Sequence, residues 1–309
     1  MKGQNGRKTG NILAISSYLI WGALPLYWAL LDSVNPLVVL AFRVLFSLAL
    51  LMPILLFAKW RGELKRVLTD RRKTLKALAA GLLIFFNWGL FIWGLEQGFH
   101  IQVSFGYYLS PLMQVALGAL LLKERMHPAT IAAFILALLA VAYLMVSDGV
   151  FPWYSVILAA SFSFYGLVKK KVDTDSYTGL FLETLFTAPL AVALLIIFGS
   201  HNGIAFGHGW GISLLLVGAG PVTAIPLMLY SAAAQRIPLT SLGFFQYFSP
   251  SLTLLLGITV FGKTVSHAEM IGFVVVWIAL IIYSAGAVCR MRKNRTLERT
   301  DLYQPGRFQ

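Results

Sequence analysis

The sequence predicts an all-α membrane protein of ten transmembrane helices, arranged as two inverted five-helix repeats. Three observations lead there: a composition too apolar for water, a lopsided placement of basic residues, and a motif that recurs at an offset of 139 residues.

The 309 residues are 58% hydrophobic and 12% charged, with a mean hydropathy of +0.77. A soluble domain carries about 25% charged residues. One water-excluded core cannot hold this many apolar side chains, so lipid is the solvent. Ten apolar runs are long enough to cross a ~30 Å hydrocarbon core: 12–31, 36–58, 77–97, 102–122, 128–147, 152–168, 177–198, 211–234, 240–261 and 267–289. They are continuously apolar, which indicates helices; barrel strands would alternate with a period of two. Lys2, Arg7 and Lys8 precede the first run in the manner of a signal peptide. That run is too long for a signal core and no small-residue cleavage site follows, so it is expected to remain as the first span.

The net charge is +13. In a soluble chain this would suggest nucleic acid as partner; here the charge lies between apolar runs. With both termini cytoplasmic, 23 of the 25 Lys and Arg residues fall in the N-terminus, 59–76, 123–127, 169–176, 235–239 and the C-terminal tail. Lys263 alone lies outside and Arg43 lies within a span. Such a bias fixes orientation in an inner (plasma) membrane. The tail after Arg290 is basic and polar, suited to disorder or to anionic headgroups.

Ser104–Arg125 aligns with Gly243–Thr264, the identities including Tyr108/Tyr247, Ser110/Ser249, Pro111/Pro250 and Gly118/Gly257. Arg43-Val-Leu-Phe echoes Glu183-Thr-Leu-Phe in the second span of each half. The expected division is residues 1–148, 149–290 and a tail, 291–309, with a short linker around Ser147–Pro152. Five spans per half invert the second half, a hallmark of secondary transporters.

Enzyme signals are absent. The single Cys289 offers neither a disulfide framework nor a thiolate metal site. His100, His127, His201, His208 and His267 fall in predicted loops or at span ends, and no zinc-protease, nucleophile-elbow or Walker sequence occurs. No cofactor or metal is expected. Lacking a nucleotide domain, such a chain would draw energy from a gradient.

Two ionisable residues lie well inside spans: Arg43, ~12 Å deep, and Glu183, ~9 Å deep at 1.5 Å per residue. A charge at the membrane centre costs at least ~2.5–3.5 kcal/mol, so such residues usually serve function. Glu183 is the candidate coupling site. A buried structural pair is the competing reading for both. Glu96 and Glu269 lie near outer span ends, where solvation is expected. Ser110-Pro111 and Ser249-Pro250 occupy matching points; proline frees a backbone carbonyl, a break tolerated where helices line a cavity. With Tyr107, Tyr108, Gln114, Gln246, Tyr247, Asn87 and Trp88 they suggest an aromatic, amide-lined pathway, against the alternative of ordinary helix packing. Trp21, mid-span, is added to that pathway. Trp21 and Tyr165 are each followed by glycine, which permits close helix approach.

Tyr18-Leu-Ile-Trp-Gly22, Asn87-Trp88, Leu90-Phe-Ile-Trp93, Phe162-Ser-Phe-Tyr-Gly-Leu-Val168 with its lysine triplet, and Leu242-Gly-Phe-Phe-Gln-Tyr247 resemble the RarD-type transporters of the EamA family, within the drug/metabolite transporter (DMT) superfamily. The resemblance runs to about Arg290. It implies a ten-helix permease of the plasma membrane that exports or exchanges solutes, in a group often labelled by chloramphenicol sensitivity. Two departures stand out. Phe42 precedes Arg43 where the family usually has histidine, which removes a proton relay through that residue. Gly262-Lys263-Thr264 replaces the usual Gly-Glu-Lys, whereas Lys123-Glu124-Arg125 keeps its glutamate; Glu124 is expected to cap a loop or act in gating. The expectation is a secondary transporter of a small metabolite or drug-like solute working by alternating access, with a small-molecule substrate and membrane lipids as partners and no nucleic acid. A flippase for lipid-linked or amphipathic substrates is the alternative, and a non-transporting scaffold or sensor stands further off.

Overall fold

The computed structural model describes residues 2–53, 57–148, 152–202, 206–207 and 209–302. The centre of the linker expected around Ser147–Pro152, residue His208 and the tail beyond 302 lie outside them. The described residues form helices α1 (Lys2–Trp28), α2 (Pro36–Leu51), α3 (Ala58–Thr69), α4 (Arg71–Glu96), α5 (His100–Leu121), α6 (Pro128–Asp148), α7 (Trp153–Lys171), α8 (Ser176–Asn202), α9 (Trp210–Ala234), α10 (Leu239–Gln246), α11 (Phe248–Thr259) and α12 (His267–Leu302). A short 3-10 turn, Ala29–Leu31, follows α1, and no strand occurs among the described residues.

Among the described residues, eight segments are long and apolar enough to cross a membrane, with α10 and α11 counted together as Leu239–Thr259. The second predicted run, 36–58, contracts to a 16-residue apolar helix, α2. The 19-residue α7, whose last turn holds Lys169, Lys170 and Lys171, is not among the eight. The basic stretch 59–76 is not a plain loop: it contains α3 and the start of α4. Past Arg290, where the sequence suggested disorder or a segment lying on anionic headgroups, α12 continues to Leu302.

Helix starts are written locally. Asn35 accepts the Leu37 N–H (2.9 Å) with Pro36 in the first turn. Asp70 caps α4 and Asp175 caps α8 in the same way. Glu269, expected to be merely solvated, closes a capping box with Ser266 (3.0 and 3.1 Å).

The chain divides into two compact units: one of residues 1–124 and 150–264, the other of residues 125–149 and 265–309. In the second, α6 packs on α12, with Gly272 against Leu144 and Gly286 against Ala129. In the first, helices from the two sequence halves interleave: α5 packs on α7 and α10, α2 on α8 and α9, and α1 on α9 and α11. Small residues set the close crossings. A Cβ on Gly81 would lie 2.8 Å from the Glu183 carbonyl oxygen, and one on Gly22 equally close to that of Ser249. Leu82, Phe86, Leu190 and Ile196 are exposed, a surface suited to lipid.

Four of the basic segments meet at one end of the first unit. Arg66 Nη1 reaches Asp173 (3.1 Å), Lys76 Nζ donates to the Lys171 carbonyl (2.9 Å), Gln235 Nε2 donates to that of Thr174 (2.8 Å), and Glu124 accepts from the Leu239 and Thr240 amides. The N-terminal segment joins them, with Gly10 against Arg236 and Ile237. Segments grouped by their charge in the sequence are thus grouped in space.

The recurring motif is also a geometric repeat. After α5 the chain turns through Lys123 at φ 54°, and after α11 through Gly262 at φ 63°; the two positions match at the same offset of 139. The next amide bonds back in the same way, Glu124 N–H to Gly118 O (3.1 Å) and Lys263 N–H to Gly257 O (2.8 Å). Each closes its helix by the left-handed C-terminal turn.

Candidate functional site

The C-terminal half of α1 supplies one wall of a cavity in the first unit. Tyr18, Trp21, Pro25 and Trp28 recur at spacings of three and four, so they share a helix face, and all four line the cavity. Its volume is about 240 Å³. The other walls bring Arg43 from α2, Asn87, Trp88 and Phe91 from α4, Tyr107 and Ser110 from α5, Phe162 from α7, and Gln246, Ser249, Pro250 and Thr253 from α10 and α11.

Among the described residues of that lining, Arg43 alone is charged. Its guanidinium carbon sits over two indoles, 4.6 Å from the Trp28 ring centroid and 4.3 Å from that of Trp88. Each such contact contributes ~2 kcal/mol or more when desolvated, which offsets part of the cost of keeping a cation in lipid. Nε donates to Thr223 Oγ1 on α9 (3.0 Å). Arg43 makes no ion pair among the described residues.

Behind the wall lies a layer of aromatic rings. Tyr230 packs on Trp21 (5.5 Å between centroids) and stacks on Tyr165 (5.7 Å, 15°). Its hydroxyl accepts from Gln114 Nε2 (3.1 Å). Gly166 allows this, since a Cβ there would meet Gln114 Nε2 at 2.9 Å. Asn87 Nδ2 is engaged by the Leu158 carbonyl (3.0 Å) and Ser161 Oγ (2.9 Å), which tie α4 to α7.

The two matched motifs meet at the cavity floor, where Gln246 Nε2 donates to Ser110 Oγ (2.9 Å). The prolines behave differently. The stretch carrying Pro250 breaks at Tyr247, where α10 gives way to α11, since Pro250 has no N–H to offer the Gln246 carbonyl. The expected break at Pro111 does not occur: α5 runs through it, and its carbonyl packs closely against Gly243 of α10.

Of the fourteen residues singled out, Trp21, Arg43, Asn87, Trp88, Tyr107, Ser110, Gln246, Ser249 and Pro250 line the cavity. Tyr108, Pro111, Gln114, Glu183 and Tyr247 do not. Tyr108 and Tyr247 are buried and joined, the Tyr247 hydroxyl donating to the Tyr108 carbonyl (3.2 Å). Glu183 does not pair with Arg43. Its Oε1 binds Lys169 Nζ (2.5 Å) and its Oε2 accepts from the Tyr165 hydroxyl (3.3 Å), all three residues being buried. Lys169, counted from the sequence among cytoplasmic loop lysines, is instead a buried charge within the helical packing, because α7 extends to Lys171. Trp88 and Thr223 border both Arg43 and a small void that Glu183 lines. The sequence reading missed Trp28, Phe162, Thr223, Tyr230 and Lys169. The three- and four-residue spacing through Tyr18 and Trp21 was a usable signal for Trp28; nothing local marks Thr223 or Lys169.

The family profile of the EamA-like transporters matches residues 8–146 and again 152–285. The chain belongs to the EamA-like transporter family. An "Uncharacterized transporter" of Vibrio cholerae is 41% identical over 283 residues, covering 91% of this chain and 93% of that one. "Protein RarD" of Streptomyces exfoliatus is 37% identical over 298 residues, covering 96% and 94%. A crystal structure with a TM-score of 0.69 covers 89% of this chain and 97% of its own at 18% identity, and is alike in fold. This EamA-family chain is thus a RarD-type integral membrane transporter.

Proposed function

We propose that this chain is a secondary transporter whose solute binds in the Arg43 cavity and which works by alternating access, gradient-driven or by exchange. In this reading ten helices span the plasma membrane as two inverted five-helix repeats with both termini cytoplasmic. One observation carries it: the matched motifs of the two halves, around Ser110 and around Ser249-Pro250, converge on the cavity that Arg43 lines. The double match of the family profile and the clustering of the basic segments at one end support the repeat and the orientation. Volume refines the solute. About 240 Å³ falls below the roughly 300–1,000 Å³ of drug-sized sites, which favours a small metabolite over a bulky drug. Glu183 is the coupling residue in this reading, with Lys169 as the partner that a bound proton displaces.

The test uses Ser249→Cys in a Cys289→Ser background. An impermeant thiol reagent should label it in right-side-out vesicles and also in inverted ones. Labelling from one side only, under all conditions, would refute alternating access around this cavity.

A further inference from the structure

We propose that the solute is a small organic monoanion, a carboxylate carried on a planar, apolar body, held by the free edge of the Arg43 guanidinium. The inference rests on the cavity being the transport site. Three observations lead to it.

The first is an unanswered charge. Arg43 gives Nε–H to Thr223 and has no carboxylate partner among the described residues. Its terminal nitrogens donate to no protein acceptor there, although Arg43 is not fully buried and borders the cavity. A guanidinium presents its donors as a planar fork that matches a carboxylate. Here two indoles and Thr223 set the position of that fork in advance, and this lowers the ordering cost of binding.

The second is charge balance. The described lining contains no Asp, Glu, Lys or His, so one negative charge neutralises the site. A dianion would leave one charge unpaired and a cation would meet Arg43 directly; both are costly away from water. The third is the body of the site. Tyr18, Trp21, Trp28, Trp88, Phe91 and Phe162 surround the arginine with ring surface. Such ring walls suit a flat apolar group.

The experiment is thermal unfolding of the purified full-length chain with three matched probes, indole-3-acetate, indole-3-acetamide and tryptamine, at concentrations up to 10 mM. A ligand of the native state raises the apparent melting temperature in proportion to its occupancy. The acetate should stabilise at concentrations at least tenfold below those needed for the amide, and tryptamine should not stabilise. Arg43→Lys should keep part of the acetate response and Arg43→Gln should lose it. The probe comparison on the unaltered chain does not depend on either variant folding. Equal responses to acetate and amide, or a preference for tryptamine, would overturn the anion assignment while leaving the cavity a solute site. If no probe stabilises the chain yet Ser249→Cys is labelled from both sides, the anion assignment fails alone. If that cysteine is labelled from one side only, the transport reading itself has failed.

Discussion

Lys169 and Glu183 form a buried ion pair, Nζ to Oε1 at 2.5 Å, between the last turn of α7 and α8. The side chains are 1% and 3% exposed. Removing one partner of such a pair strands the other charge and destabilises by about 3–5 kcal/mol, while replacing both is often neutral. Glu183→Gln should therefore lower the melting temperature, and Lys169→Met added to it should recover most of the loss. Arg43→Gln added to Glu183→Gln should recover none, because Arg43 has its own partners. Recovery with Arg43 and not with Lys169 would show that the pairing described here is not the one in solution. Should Glu183 be the coupling site, the Glu183→Gln, Lys169→Met double variant would fold but lose gradient-driven uptake.

Glu124 holds the start of α10. Its carboxylate accepts the N–H groups of Leu239 (2.7 Å) and Thr240 (2.9 Å), which have no partner within their own helix. Charge-assisted bonds of this kind contribute about 1.5–3 kcal/mol each at most. Glu124→Gln should speed amide exchange at Leu239 and Thr240 while leaving α8 protected, as hydrogen-exchange mass spectrometry would report. The matching position at the other end of the repeat is Lys263, which carries no acceptor, so the corresponding bond to the start of α5 cannot form there.

The glycines that match across the repeat should respond in opposite ways. A Cβ on Gly118 would lie 2.8 Å from Glu124 Oε2 and 2.9 Å from the Thr240 amide nitrogen, whereas one on Gly257 would meet nothing nearer than 3.8 Å. Gly118→Ala should displace the Glu124 bonds and cost about 1–3 kcal/mol, as overpacking does. Gly257→Ala should be neutral or slightly stabilising, since alanine favours the helix. Melting temperatures of the two variants decide it, and equal losses would contradict the asymmetry.

At the end where the basic segments gather, Arg66 binds Glu63 (2.5 Å) and Asp173 (3.1 Å), and Lys73 lies 3.5 Å from Asp173. Hydrogen bonds from Arg66 hold the carboxyls of Glu63 and Asp173 below their ordinary values. A depressed folded-state pKa means stability present above the ordinary carboxylate range and lost as pH falls through the folded-state values. Arg66→Gln should thus lower the melting temperature slightly at pH 7, and the gap from the unaltered chain should begin to narrow as pH falls below the ordinary carboxylate range, about pH 4. High salt should also narrow it, as Arg66 and Asp173 are exposed. A gap that does not narrow at all as the pH falls would mean that Arg66 acts through packing alone.

Topology offers a test independent of any substrate. Reporter fusions after Lys76, after Arg236 and at the C-terminus should read cytoplasmic, and a fusion after Lys263 should read external. Opposite readings at Lys76 and Arg236 would conflict with the contacts that bring segments 59–76, 169–176 and 235–239 together.

Composition alone determined that lipid is the solvent and that the chain is helical, because continuous apolar runs leave the backbone no partner but itself. The recurring motif was legible where its residues are identical, as at Tyr108/Tyr247 and Ser110/Ser249; the alike turns after α5 and α11 were not, since Lys123 stands in one and Gly262 in the other. Arg43 was legible for an energetic reason: an isolated charge inside an apolar run is costly enough to need a cause. Partner choice was not legible. Lys169 reads as a loop lysine until α7 is seen to carry it into contact with Glu183, and Thr223 and Tyr230 look like ordinary apolar-helix residues until α9 crosses α1 and α2. Matching prolines likewise gave one break and one continuous helix, because the backbone of α10 seats against α5 at Pro111 while Pro250 ends a helix already only eight residues long. Hydropathy and charge act residue by residue, so the sequence determines them directly. Which groups meet depends on how interleaved helices cross, and that is decided by close contacts between residues on different helices.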